Sequence, residues 1–338
     1  MFDVVSIGTA TTDVFLKTDK SSLKKSFFGT KKFQCFPLGE KIGSSDLVLS
    51  TGGGAANSAV SFTRQKLSTG VVFKVGDDIF GTQVIKSLQS EKISTFPSIA
   101  QKRKTDFSTI LITPDGSRTI LVHRDASSSL TSKDIPFSKL KTSWVYINPS
   151  NISFSVINSL VSKFKEQGTK IALNPSQSFI DIGAEKLHPL LNKINVIILN
   201  REEASSLTGI SYSKEKEIFK KFDELVEGIA VMTEGPKGVM VSDGTRIFRA
   251  GIFKNQEIVD RTGAGDAFGS GFVSGLIRSK ENCQQGICGT ENIKQAIRLG
   301  SANATSVVEQ FGAQAGLLTK TQLNSPRFKR LKISIERI

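Results

Sequence analysis

From residue 144 onward the chain repeats one pattern: a short, wholly apolar run that ends on a polar residue, then a longer segment with helical periodicity. Trp144-Val145-Tyr146-Ile147 ends in Asn148, Ile171-Ala172-Leu173 in Asn174, Val196-Ile197-Ile198-Leu199 in Asn200, and Ile229-Ala230-Val231-Met232 in Thr233. Runs that are apolar at every position are strands buried on both faces, and helices between them make the strands parallel through right-handed crossovers. The polar residue at each carboxyl end then falls on the rim where open α/β sheets hold ligands. Upstream, Met1 to Gly8 reads as a first strand, and Val71 to Gly81 as a buried strand, a turn and a helix start with acidic residues at its positive end. The alternation breaks twice. Thr9 to Leu16 is apolar and polar by turns and leads into a long polar connection to Gly43, while Asp106–Thr113 and Arg118–His123 are β-rich runs joined by the turn Pro114-Asp115-Gly116-Ser117. The second break reads as an inserted sheet forming a lid over the region of Asp13 and Asn57, as a structural hairpin, or as a contact with a second copy of the chain.

Candidate chemistry concentrates in Asp260-Arg261-Thr262-Gly263-Ala264-Gly265-Asp266, a glycine-rich turn feeding a helix whose buried face carries Phe268, Phe272 and Leu276. The glycines let a ligand approach the main chain, and the first amides of a helix point at the same spot, which makes an anion site. Asp266 beside it suits a base that takes a proton from a hydroxyl, and equally suits a plain N-cap. Gly269, Gly271 and Gly275 weaken the helix and imply that something packs very close to it. The spacing is that of neither the dinucleotide fingerprint nor the P-loop.

Thr51 to Val60 is a second small-residue loop entering a helix, in which Gly52 to Gly54 would let a ligand lie on the backbone and Asn57 offers a donor and an acceptor to a diol. Asn200 and Glu203, three apart at a helix start, would orient a hydrated magnesium ion on nucleotide phosphates or simply serve the helix dipole. Thr233-Glu234-Gly235-Pro236-Lys237-Gly238 is a turn fit for a nucleotide, or a hairpin. Asp13 stands just past the first strand, as a ligand or as an ordinary turn residue.

Length and composition narrow the class. A chain of 338 residues with 38% hydrophobic content can bury a full core in one large α/β domain with an appendage or in two domains. Cys35, Cys283 and Cys288 fit a reducing compartment, and the last two lack zinc spacing. No signal peptide and no bilayer-length apolar run is present, which points to a cytoplasmic protein with no membrane partner. The net charge of +14 invites nucleic acid, yet the lysines are scattered and the basic runs lack interleaved aromatics. A lysine-rich surface favouring anionic ligands is the commoner meaning, so no specific nucleic-acid partner is expected.

Together these motifs resemble the ribokinase-like (PfkB) family of carbohydrate and nucleoside kinases over nearly the whole chain, from Gly8 to about Leu318. The resemblance implies a three-layer α/β/α fold with a mostly parallel central sheet and a small inserted β-sheet lid. It implies one kinase domain over 1–325, with lid segments at about 9–50 and 104–124, and a basic tail over 326–338. It further implies an ATP- and Mg²⁺-dependent phosphotransferase in which Asp266 is the catalytic base and the amides of Gly263, Ala264 and Gly265 form the anion hole. Asp13, Gly53 and Asn57 would hold the acceptor, while Asn200 and Glu203 would serve magnesium and phosphate. Thr233, Gly235, Gly238 and Asn303 would line the nucleotide pocket, and Asp260, with the backbone near Gly312, would hold a monovalent cation such as K⁺. A homodimer through the lid would follow the same pattern. Many ribose and phosphosugar kinases of the family carry lysine where this chain has Gly54, and ribose kinases tend to have glutamate near the place of Asn148, so both acceptors lose support. A sugar or sugar-like alcohol is the favoured acceptor; a nucleoside kinase and a non-catalytic or nucleic-acid-associated protein are the alternatives.

Overall fold

The apolar runs pair edge to edge in the computed structural model, which describes residues 1–18, 22–25, 32–113, 118–254, 257–279 and 289–337. The turn 114–117 and Cys283 and Cys288 lie outside the described residues. In chain order the strands are β1 (Phe2–Ile7), β2 (Thr11–Thr18), β3 (Ser22–Lys25), β4 (Lys32–Cys35), β5 (Ser44–Gly52), β6 (Thr69–Gly76), β7 (Ser94–Ala100), β8 (Phe107–Ile112), β9 (Arg118–His123), β10 (Thr142–Ile147), β11 (Lys170–Leu173), β12 (Val196–Asn200), β13 (Ile229–Thr233), β14 (Val239–Ser242), β15 (Arg246–Ala250) and β16 (Ile333–Arg337). The main sheet runs β16-β15-β14-β13-β12-β11-β10-β1-β6-β7. From β7 to β13 every neighbouring pair is parallel, and β14, β15 and β16 extend it antiparallel.

Strand alternation divides the core in two. Val5, Ile7, Val145, Ile147, Ile171, Leu173, Ile197 and Leu199 face one helical layer, which includes the helix Phe154–Glu166. Val4, Trp144, Tyr146, Ala172, Val196, Ile198 and Val231 face the other, which holds the helices Ala264–Arg278 and Thr290–Val307. The helix Gly54–Arg64 lies on that second side against Val71 and Phe73. Both faces are dry because both are covered, and each buried Val, Leu, Ile or Phe contributes about 1.5–3 kcal/mol of transfer free energy. The result is the α/β ribokinase-like fold, with a mostly parallel main sheet and a small separate mixed sheet.

That small sheet is β5-β2-β8-β9, built from the two stretches that interrupt the alternation. Strand β2 pairs antiparallel with β5 and parallel with β8, so the two excursions are interleaved. Register puts Asp13, Ser108 and Val122 on one face and Val14, Leu49, Thr109 and Leu121 on the other.

The basic segment after Pro326 does not stand apart as a tail. Ile333–Arg337 pairs along the whole of β15 and forms the edge of the main sheet. The alternation Ile333-Ser334-Ile335-Glu336-Arg337 is that of an edge strand, and the charges keep the outer rim from recruiting another chain.

Asn303 also departs from expectation. Expected in the nucleotide pocket, its side chain is fully buried in the helix Thr290–Val307. Its Nδ2 donates to the Ser61 hydroxyl at 3.0 Å and to the Ala267 carbonyl at 2.9 Å, and its Oδ1 accepts the Leu318 N–H at 2.9 Å. A helix pattern places such a residue on the inner face without saying whether a ligand or the protein takes its polar atoms. Replacing it with leucine leaves buried donors and acceptors unpaired, each costing about 1–3 kcal/mol. We expect Asn303→Leu to lose roughly 3 kcal/mol or more in urea unfolding while the folded fraction keeps its affinity for ATP; unchanged stability with weakened nucleotide binding would return Asn303 to the pocket.

Candidate active site

The helix Ala264–Arg278 begins on Gly263, whose φ of 77° is left-handed and whose missing Cβ makes room for Ala313. Close packing then fixes the helix axis. A methyl at Gly269 would overlap the Tyr146 hydroxyl, one at Gly271 the Gly300 Cα, and one at Gly275 the Ala296 Cα. The three glycines that weaken the helix thus serve helix-on-sheet and helix-on-helix contact, and no ligand is needed to explain them.

A glycine at the N-cap supplies no side chain to cap the first turn. Among the described residues the N–H groups of Gly263, Gly265 and Asp266 find no protein acceptor, and that of Ala264 makes one long bond, 3.4 Å, to the Arg261 carbonyl. These amides open into a cleft of about 480 Å³ whose walls include Asp13, Gly53, Asn57, Asn148, Asn174, Asn200, Glu203, Thr233 and Asp266. The four polar strand ends of the sequence pattern are all on this wall. They form a ladder: Asn148 Nδ2 donates to Asn174 Oδ1 at 3.2 Å, Asn174 Nδ2 to the Ile198 carbonyl at 3.0 Å, and Asn200 lies beside Thr233 in register.

A second cavity of about 220 Å³ adjoins the first. Apolar groups including Pro236, Ile252, Ile258, Phe268, Ala304 and Val308 line it together with Thr233, Gly235 and Gly238. Thr233, Arg261, Ala264 and Gly265 belong to both. The open helix end is therefore the threshold between a polar chamber and an apolar one.

Asp266 sits at that threshold. Asn57 Nδ2 donates to its Oδ2 at 2.8 Å, and Gln314 Nε2 donates to Asn57 Oδ1 at 3.1 Å. The chain Gln314-Asn57-Asp266 sets the carboxylate's angle and leaves Oδ1 with no donor among the described residues. Burial pushes the Asp266 pKa up, the Asn57 bond pulls it back in part, and the charge of Asp13 adds to the rise. Asp13 is buried and also raised, burial again leading, with Thr11 donating to its Oδ1 at 2.9 Å. Asn57, expected at the acceptor's hydroxyls, lines the cleft, gives one amide hydrogen to Asp266 and accepts from Gln314 with its oxygen.

Asn200 and Glu203 are reciprocal caps. Asn200 Oδ1 accepts the Glu203 N–H at 2.9 Å and Glu203 Oε2 accepts the Asn200 N–H at 2.8 Å. Burial, with Glu202 and Asp266 nearby, lifts the Glu203 carboxyl to about 7 despite that capping bond. The helix-capping reading of this pair is what the hydrogen bonds show, and both residues also line the cleft. Asp260 lies outside both cavities and is 2% exposed. Its Oδ1 accepts the Thr262 N–H and hydroxyl at 2.9 and 2.7 Å, its Oδ2 the Gly312 N–H at 3.2 Å, and Arg118 of the small sheet approaches to 3.8 Å.

Sequence reasoning missed several wall residues. Arg118, Ile120, Val122 and Arg124 alternate along β9 and beyond it, and all face the cleft. That alternation was the available signal, hidden because the run also reads as a hairpin with two apolar faces. Gln314 carried no signal. The two departures at Gly54 and Asn148 prove to be neighbours: a Cβ on Gly54 would lie 2.8 Å from the Asn148 side chain, so Asn148 fills the space a longer residue at 54 would need.

The sequence profile of the pfkB family carbohydrate kinases matches residues 1–320. An ATP-dependent 6-phosphofructokinase of Thermoanaerobacterium thermosaccharolyticum is 29% identical over 78% of this chain and 80% of its own length. Arabidopsis thaliana ribokinase, solved with ribose and ATP, superposes with a TM-score of 0.75 at 18% identity over 97% of this chain and 99% of its own. The adenosine kinase of Sinorhizobium meliloti does so with a TM-score of 0.78 at 18% identity over 96% and 99%. With its fold, its two-chambered cleft and this match over almost its full length, the chain belongs to the pfkB family of carbohydrate kinases, phosphotransferases that use ATP and take an alcohol as acceptor.

Proposed function

We propose that the protein moves the γ-phosphoryl group of Mg-ATP to a primary hydroxyl of a sugar or sugar-like alcohol. The reading rests on one observation: the polar and apolar chambers meet at uncapped helix amides with Asp266 on the polar side. The nucleotide base would lie in the apolar chamber against Gly235 and Gly238, and the acceptor in the polar one against Asp13 and Gly53. The acceptor oxygen attacks the γ-phosphorus, the bond to the bridging oxygen of ADP breaks, and the hydroxyl proton passes to Asp266 Oδ1. Desolvation raises Asp266 toward the alcohol's basicity, yet a carboxylate stays far too weak to ionise an alcohol beforehand, so proton loss accompanies or follows attack. Most of the rate then comes from positioning and from the Gly263, Ala264 and Gly265 amides around the migrating group.

Magnesium bound to the nucleotide would neutralise phosphate charge. Among the described residues no cluster of three or more acidic, histidine or cysteine groups could hold a metal, so Glu203 and Asn200 would act through its water, as this ion prefers. Asp260 is a poorer candidate for potassium than its motif suggests, because the Arg118 guanidinium and three donors already surround it. The outer lid face exposes Leu47, Leu49 and Leu121, an apolar stripe that supports a homodimer formed lid to lid.

Asp266→Asn should fold, bind ATP and lose turnover by roughly 10²-fold or more on a panel of sugars and nucleosides. Near-normal turnover in that variant would remove Asp266 from the role, and activity that requires potassium over sodium would restore the cation to Asp260. For Glu203 the sign follows from its raised folded pKa. The protonated folded form is favoured below the unfolded value, and that stability is lost as pH rises through about 7. Glu203→Gln, which can keep the cap, should therefore gain urea stability relative to the unaltered protein between about pH 4.5 and 7; a pH-independent difference would mean the carboxyl is not held neutral. Sedimentation should give a dimer that Leu49→Lys with Leu121→Lys turns to monomer, whereas a monomer from the outset would discard the lid contact.

A further inference from the structure

Arg124 leaves β9 on the cleft side, at the end of the lid nearest Asp13. Its guanidinium makes no hydrogen bond with the described residues. Nη1 is shielded from solvent and has no partner, and Nε lies 3.8 Å from Asp106 Oδ2, beyond bonding distance. Asp106 cannot come closer to its aid, since its own oxygens accept the N–H groups of Asp125 at 3.0 Å and Ser127 at 3.2 Å and the Ser127 hydroxyl at 2.5 Å. The carboxylate therefore holds the arginine in place by charge and leaves its fork of donors unspent. An arginine in a partly dry wall with free donors is a costly arrangement unless something fills it, and a planar fork fits the paired oxygens of a carboxylate or phosphate.

Three arginines line the chamber: Arg118, which lies 3.8 Å from Asp260, Arg261, which directly precedes the glycine turn beside Asp266 and also lines the apolar chamber, and Arg124, whose wall also carries the neutral groups Asn148, Ser150 and Asn174. The Arg124 charge also acts on Asp13, lowering its pKa against the rise from burial, which places the cation close to the group expected to hold acceptor hydroxyls.

We propose that the acceptor carries an anionic group, a carboxylate or a phosphate, at the end remote from the reacting hydroxyl, and that Arg124 binds it and so sets specificity. The inference rests on the kinase reading for the reacting end. It restores anionic sugars, which the glycine at position 54 had counted against, by placing their cationic partner on the lid instead of on the loop.

The test pairs each charged acceptor with its neutral skeleton: fructose 6-phosphate with fructose, and gluconate with glucose, with ribose and adenosine as further neutral acceptors. Turnover is measured with Mg-ATP, and binding is measured by calorimetry on the Asp266→Asn protein. One charged member should exceed its neutral partner in kcat/KM by about 100-fold, the worth of a charge-assisted fork, and which pair does so tells phosphate from carboxylate. Arg124→Gln should collapse that ratio, and Arg124→Lys should keep part of it. Preference for a neutral acceptor, or a ratio that Arg124→Gln leaves intact, overturns the proposal while the kinase reading stands. Charged acceptors that bind through Arg124 without being phosphorylated leave the proposal standing and sink the kinase reading, and failure of both binding and turnover sinks both.

Discussion

A helix that starts on a left-handed glycine cannot cap itself, and everything around the candidate site follows from that deficit. Gly263 is held in place by Ala313, and the axis behind it is locked by glycines pressed on Tyr146, Gly300 and Ala296. With the axis locked, the first turn cannot twist to find acceptors, so its amides stay directed at the cleft. Preorganised donors of this kind need no rearrangement when charge develops in front of them. Asp266 inherits the same rigidity, and the Gln314-Asn57 relay removes its last freedom of rotation.

Charge in this cleft is arranged by burial as much as by pairing. Asp13, Asp266 and Glu203 are all pushed up by desolvation, and each carries some neighbour's repulsion as well. Burial of this kind disfavours the charged form of each acid, and a nearby cation opposes that effect. Two arginines of the cleft wall lie near buried carboxylates behind it, Arg118 at 3.8 Å from Asp260 and Arg124 at 3.8 Å from Asp106.

Much of this was legible in the chain, and the exceptions have physical reasons. The parallel strands declared themselves because burial on both faces removes every polar residue until the strand ends, and those ends are the cleft wall. The helix glycines announced close packing correctly, although the partner is the protein itself. What stayed hidden depends on distant partners. Asn303 looks the same in sequence whether it meets a ligand or the Leu318 amide, and Asn57 gives no hint that Gln314 will claim its oxygen. Ile333–Arg337 was obscured by its charges, which are the usual dress of an edge strand. Arg118 and Arg124 resemble any surface cations until the register of β8 and β9 shows which side they face.

The interleaving of β2 with β8 has a mechanical corollary. Because β2 lies between β5 and β8, neither excursion of the chain can peel back without breaking the ladder of the other. The small sheet is therefore mechanically one plate, joined to the rest of the chain at Gly8 to Ala10, Gly53, Thr105 and Arg124. Asp13 belongs to that plate and Arg124 follows directly from its last strand, so a shift of the plate would carry both across the cleft wall at once.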